Sequence, residues 1–188
     1  MFCAAFPKEL GVDVRVVLDT LPNISVNDVA IKTSADSISY ILGDGMVEIP
    51  YRMYFSDIDD TTHAALSATQ KQILCCIYTR NCDGFVREKY LRKLLTMPIR
   101  EWAFPFIVKL CDEYVVEIVE VIYNELKGRD NTDIQSFCLE NKNYIRKSYS
   151  RMISYWNEYY RGDEPDLKRY VGRKLFRDCL GYNRSFER

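Results

Sequence analysis

The stretch SATQKQILCCIYT, residues 67–79, decides the fold, because there the apolar spacing changes from alternation to a helical period. Ser67 and Gln70 have the spacing of a capping box: the hydroxyl accepts from the third backbone N–H while the amide side chain reaches back to the first. A helix to about Thr79 is expected, burying Ile73, Leu74 and Ile77. Beyond it, Asp83 is placed to cap a second helix with an apolar stripe of Val86, Tyr90, Leu91, Leu94 and Leu95. Arg87, Glu88, Arg92 and Lys93 would face out, and Pro98 stops the helix. Pro105 suits the first turn of a third helix, where the N–H it lacks has no partner anyway. There Ile107, Cys111, Tyr114, Ile118, Ile122 and Leu126 recur in one long helix, or in two that bend near Asp112 and Glu113, closed by Gly128.

A fourth region, from Thr132 to about Arg161, holds Ile134, Phe137 and Cys138, then a polar break at 141–143. The stripe that follows is Ile145, Tyr149, Met152, Trp156 and Tyr159. Asp166 is placed to cap a last helix, with Leu167, Val171, Leu175 and Cys179 on its apolar side and Gly181 at its end. Upstream of Ser67 the chain is less regular. Val12, Val14, Val16 and Val17 alternate with Asp13 and Arg15 like a short strand, although Val16 to Leu18 also fits a helical turn. Residues 38–42 and 46–49 are apolar runs joined by Gly43-Asp44-Gly45, the pattern of a β-hairpin, with Pro50 at its rim. The expected fold is mainly α: a helical array or bundle of about five to seven helices with a small N-terminal hairpin. The division expected from pattern alone is a hairpin-containing subdomain, 1–66, and a helical domain, 67–188.

With 47% hydrophobic and 28% charged residues, the 188-residue chain has the composition of a globular protein rather than a disordered one. No apolar run approaches the roughly 20 residues that span a bilayer, and Met1–Phe6 lacks the basic flank of a signal peptide. No membrane partner is expected. The seven cysteines contain no C-x-x-C pair and only one histidine, His63, accompanies them. Reduced structural thiols, no metal, no cofactor and a cytoplasmic location are therefore expected. Net charge is −1, but unevenly laid out: residues 1–66 carry four Lys/Arg against ten Asp/Glu, and residues 142–188 carry twelve against six. Such asymmetry either pairs within the fold or leaves a basic surface for an anionic partner.

Residues 82–91, with Asp83 before Val86-Arg87, resemble the start of the second helix of a HEAT-type repeat. Residues 101–110, with an early Pro105, and 112–126 resemble the next helix pair. The chain is also similar to an uncharacterised family of bacterial helical proteins. These resemblances imply a HEAT-like helical scaffold, commonly a binding surface, and no activity. The regular period of about 40 residues that a solenoid requires is missing, and the hairpin stands in front.

No motif fixes a function. Asp57-Ile58-Asp59-Asp60-Thr61 resembles the D-x-D-x-T motif of haloacid-dehalogenase-type phosphatases, which implies Asp57 as nucleophile and Asp59 as acid, beside magnesium and at the end of a parallel strand. The helical pattern downstream does not supply that sheet. His63 lacks the companions of a general base, and Glu113, Glu117 and Glu120 lack an E-x-x-H partner. No catalytic residue is assigned; the reading leans to a non-enzymatic chain, with a phosphatase-like enzyme through Asp57 and Asp59 as a further alternative.

The region from Tyr144 to Tyr182 stands out. It holds seven of the fourteen tyrosines interleaved with arginines and lysines, and Tyr144, Ser148, Arg151 and Tyr155 would share a helical face apart from the apolar stripe. Tyrosine with arginine suits a protein interface, and also suits nucleic acid through charge and base stacking. The expected function is an interaction or regulatory role with a protein partner, nucleic acid being the alternative. The candidate binding residues are Tyr159, Tyr160, Arg161, Arg169 and Arg173.

Overall fold

A computed structural model describes residues 2–22, 25–26, 29–30, 34 and 36–186, the strands at 25–26 and 29–30 by their backbone. The elements among them are α1 (Gly11–Thr20), β1 (Ser25–Val26), β2 (Val29–Ala30), β3 (Ser37–Leu42), β4 (Gly45–Pro50), α2 (Asp60–Ala65), α3 (Ala68–Tyr78), α4 (Gly84–Leu95), α5 (Phe104–Leu110), α6 (Val116–Leu126), α7 (Thr132–Glu140), α8 (Lys142–Tyr155) and α9 (Val171–Lys174). The protein is mainly helical with small antiparallel strand pairs near its N-terminus, as the patterning implies. It divides into two compact units, Met1–Phe106 and Ile107–Arg188, the division falling inside α5.

In the first unit, α3 is buried on all sides from Gln72 to Tyr78, so it is the core helix and not merely an amphipathic one. Its capping box forms as the sequence requires, with Ser67 Oγ accepting from Gln70 N and Gln70 Oε1 accepting from Ser67 N. Asp83 caps α4 by accepting from Phe85 N. α1 and α4 both pack on α3, and Tyr78 stacks on Tyr90 with ring centroids 4.3 Å apart.

Residues 11–20 are helical, not extended. Val14 and Val17 are buried while Val12 and Val16 are exposed, a spacing of three that puts one valine face on α3; this tertiary contact outweighs the β preference of alternating valines. The hairpin β3–β4 runs in register from Ser37↔Pro50 to Leu42↔Gly45, and Gly43 takes φ +56° in its turn. Tyr40, Val47 and Ile49 form its buried face. β1 and β2 form a second antiparallel pair, two short strands that the sequence pattern does not announce.

Arg80 and Arg87 are fully buried. Arg80 donates to the carbonyls of Pro50 and Tyr51, at 3.3 and 2.7 Å, and Arg87 to those of Asn81 and Cys82, at 2.9 and 3.0 Å. Arg87 therefore does not lie on the outer face of its helix. Backbone carbonyls left over where the chain turns into α4 draw its guanidinium inward.

In the second unit, α6 packs against α9 and the turn that follows it, and α8 packs against both α7 and α9. The long pattern over 105–126 resolves into α5 and α6, parted at residues 111–115. Gly128 and Gly181 take positive φ at helix ends. Asp166 caps a tight turn rather than the last helix, accepting from Lys168 N at 2.9 Å, because helical geometry resumes only at Val171.

Both α8 and α9 run into π-helical turns, Trp156–Tyr160 and Leu175–Cys179, each closed by a bond five residues long: Arg161 N to Trp156 O, and Leu180 N to Leu175 O. The first of these turns removes Tyr159 from the apolar stripe. Trp156 stays buried, but the extra residue in the turn leaves Tyr159 59% exposed.

Candidate interaction surface

Two of the expected binding residues, Tyr159 and Tyr160, sit in an aromatic cluster of the second unit. The rings of Tyr114, Tyr155 and Tyr159 form a nearly equilateral triangle, with centroids 6.3, 6.4 and 6.2 Å apart, and none of the three pairs is stacked. Tyr155 and Tyr159 are four residues apart at the end of α8, so one helical face carries both; Tyr114 comes from the bend between α5 and α6. Tyr114 is 51% exposed.

Tyr160 lies beneath them, half-buried, and stacks on Tyr170 at 5.7 Å. Its hydroxyl donates to the Tyr114 carbonyl and accepts from Val116 N at 3.2 Å. α6 has no side-chain cap of its own, so this phenol, forty-four residues away in sequence, satisfies one of the orphan N–H groups at its start. Burial pushes the Tyr160 hydroxyl up; the bond from Val116 opposes this, and the carboxylates of Glu117 and Glu120 add to it.

Below the bend is a buried ion network. Asp112, with no exposed side-chain surface, accepts from Lys109 Nζ at 2.9 Å and from Arg151 Nε at 2.7 Å, with Arg151 Nη2 also paired to it. Arg151 in turn reaches the Tyr144 hydroxyl at 3.2 Å and lies over the Tyr144 ring. Tyr144 and Arg151 thus share a face of α8, two turns apart, as expected, while Ser148 between them is fully buried.

The other expected binding residues are engaged locally. Arg161 lies over the Trp156 ring and donates to Asn157, Arg169 stands 3.9 Å from Asp166, and Arg173 lies over the Tyr149 ring. Tyr149 also stacks on Tyr182 at 4.1 Å. Arg151, Arg169 and Arg177 pair with Asp112, Asp166 and Asp178, all within the second unit. By sequence, that unit holds fifteen Lys/Arg against fourteen Asp/Glu, so the basic run is balanced by acidic neighbours such as Glu117 and Glu120.

Sequence reasoning missed Tyr114 and the Asp112 network. The signal was there in Lys109 and Asp112, three apart at a polar bend, but the apolar spacing of Tyr114 assigned it to the core.

The phosphatase-like aspartates are occupied otherwise. Asp57 lies in the loop before α2, where its carboxylate accepts from Lys89 Nζ at 2.6 Å and Tyr90 Oη at 2.7 Å. Asp59 is the N-cap of α2, accepting from Thr62 N and Thr61 Oγ1, each at 2.7 Å, and these bonds hold its pKa down to about 2. Both described sheets are antiparallel pairs, and Asp57 ends no strand. His63 sits in the last turn of α2. Among the described residues, no three of the His, Cys, Asp and Glu side chains gather as a metal site, and no helix is long and apolar enough to cross a membrane. The chain matches no family model, no curated protein and no solved structure.

Proposed function

We propose that the protein is a non-enzymatic interaction protein that docks a partner protein through the tyrosine surface of its second unit. One observation carries this reading: Tyr114 and Tyr159 are 51% and 59% exposed, although tyrosine gains by burying its ring and wetting only its hydroxyl. Aromatic residues of this kind are enriched where interfaces form. Tyr155 completes the surface and Tyr160 supports it, while Arg161, Arg169 and Arg173 stay outside it, each held by a neighbour.

The near balance of charge in the second unit favours a protein over nucleic acid, whose binding calls for a net basic footprint. The packed α3–α4 pair, with Asp83 at its turn, is the part in keeping with a HEAT-like scaffold. Six free cysteines support a cytoplasmic setting, where thiols stay reduced.

The test compares what co-purifies with the native chain and with a Tyr114→Ser/Tyr159→Ser variant, by mass spectrometry, after circular dichroism has shown the same helix content. The variant is expected to lose at least one abundant partner. An unchanged set of proteins would overturn the reading.

A further inference from the structure

The surroundings of the tyrosine triangle bear on the charge of what rests there. With centroids 6.2 to 6.4 Å apart the three rings touch one another, and a group resting on the triangle comes within the roughly 6 Å of each centroid over which a cation is drawn to an aromatic ring. Glu117 and Glu120 are exposed on α6, whose start is tied to this cluster by the Tyr160 hydroxyl at Val116, and Glu158 is exposed beside Tyr159. Both α6 carboxylates help raise the pKa of the Tyr160 phenol, which bonds the Tyr114 carbonyl, and Glu120 helps raise that of Tyr170. Arg151 and Arg161, which flank the Tyr155–Tyr159 run in sequence, are already held, Arg151 by Asp112 and Arg161 over Trp156. A phosphate approaching these rings would meet carboxylates; a guanidinium would meet carboxylates and aromatic rings together.

We infer that the triangle of Tyr114, Tyr155 and Tyr159 takes an arginine side chain from a basic peptide segment of the partner, with Glu117 and Glu120 beside it; this rests on reading the same surface as the interaction site. Arginine suits it better than lysine. A planar, weakly hydrated guanidinium can lie on tilted rings and still donate to a carboxylate, whereas a compact ammonium gives up more hydration to do so.

The probe is a short glycine–arginine peptide, Ac-Gly-Arg-Gly-Arg-Gly-amide, titrated into the full chain with its tyrosine rings carbon-13 labelled. Its control has citrulline in place of arginine, which keeps the shape and removes the charge. Ring signals of Tyr114, Tyr155 and Tyr159 are expected to shift saturably with the arginine peptide, and the citrulline peptide to bind about tenfold more weakly. Glu117→Gln/Glu120→Gln should weaken arginine binding severalfold and flatten its salt dependence. Tyr159→Leu, at an exposed position, should abolish the shifts with the fold intact.

Equal response to both peptides, no response to the arginine peptide, or shifts of these rings with a single-stranded oligonucleotide would each overturn the inference. Failure here with a partner still lost from the Tyr114→Ser/Tyr159→Ser variant leaves the interaction reading standing and removes only the arginine. Failure of both removes the surface altogether.

Discussion

Gly172 shows how little room separates α8 from α9. A Cβ there would lie 2.8 Å from Met152 Cγ and 2.8 Å from Tyr170 Cε1, closer than carbon atoms approach. Gly172→Ala should therefore destabilise the protein by about 1–3 kcal/mol, the usual result of overpacking, read as a lower urea midpoint with unchanged slope. Asp57 makes a different kind of contribution. Its burial raises the carboxyl's pKa, but the bonds from Lys89 and Tyr90 outweigh that and hold it below the ordinary carboxylate range. A lowered folded-state pKa gives stability that is complete above the unfolded value, near 3.8, and fades as pH falls through the folded one. Asp57→Asn is thus expected to be less stable than the parent at neutral pH and to approach it toward pH 2. Acid titrations of both proteins, followed by circular dichroism, measure this; a difference that grows on acidification would contradict the assignment.

The elements differ in how openly the sequence declares them, and the reason is range. The capping box at Ser67 and Gln70, the Asp83 cap, the Gly43–Gly45 turn and the closing Gly128 are local chemistry within a few residues, and each forms where the pattern places it. The valines of α1 are decided by α3, the inward turn of Arg87 by carbonyls at Asn81 and Cys82, and the exposure of Tyr159 by a single wide turn; distant or irregular partners such as these leave no period to read. Of the candidate surface, Tyr159 and Tyr160 were legible as members of a tyrosine-rich run, whereas Tyr114 joins them only through the bend at 111–115. That bend is held by Asp112 between Lys109 and Arg151. Asp112→Ala removes a carboxylate with no exposed side-chain surface that Lys109 and Arg151 both bond, so a loss of about 3–5 kcal/mol is expected. Replacing Lys109, Asp112 and Arg151 together by apolar residues of similar size should cost less than the single change, and chemical denaturation of the two variants decides between them.

At the scale of the whole molecule, six of the seven cysteines have described side chains; these six are free, and of them only Cys82 is exposed. Burial drives the Cys75 thiol up to about 12 and that of Cys179 to about 11, so neither yields appreciable thiolate near neutral pH. With Cys3→Ser as background, a thiol-reactive dye should find one fast site in the native protein and six after denaturation. More than one fast native thiol would mean that the units open readily. The charge that runs from acidic to basic along the chain also evens out inside each unit: residues 1–106 hold eleven Lys/Arg against thirteen Asp/Glu, close to neutral like the second unit. Neither unit therefore presents a strong long-range field, and recognition at the proposed surface would fall to local contacts. There the Tyr160 hydroxyl matters most. Because one phenol grips both the Tyr114 carbonyl and the first amide of α6, the aromatic platform is stiff before anything lands on it, and little conformational freedom remains to be lost on contact. Tyr160→Phe, which keeps the ring and removes the clasp, should leave the rate of association almost unchanged and shorten the lifetime of the complex. The clasp would then act as a timer on how long a partner stays.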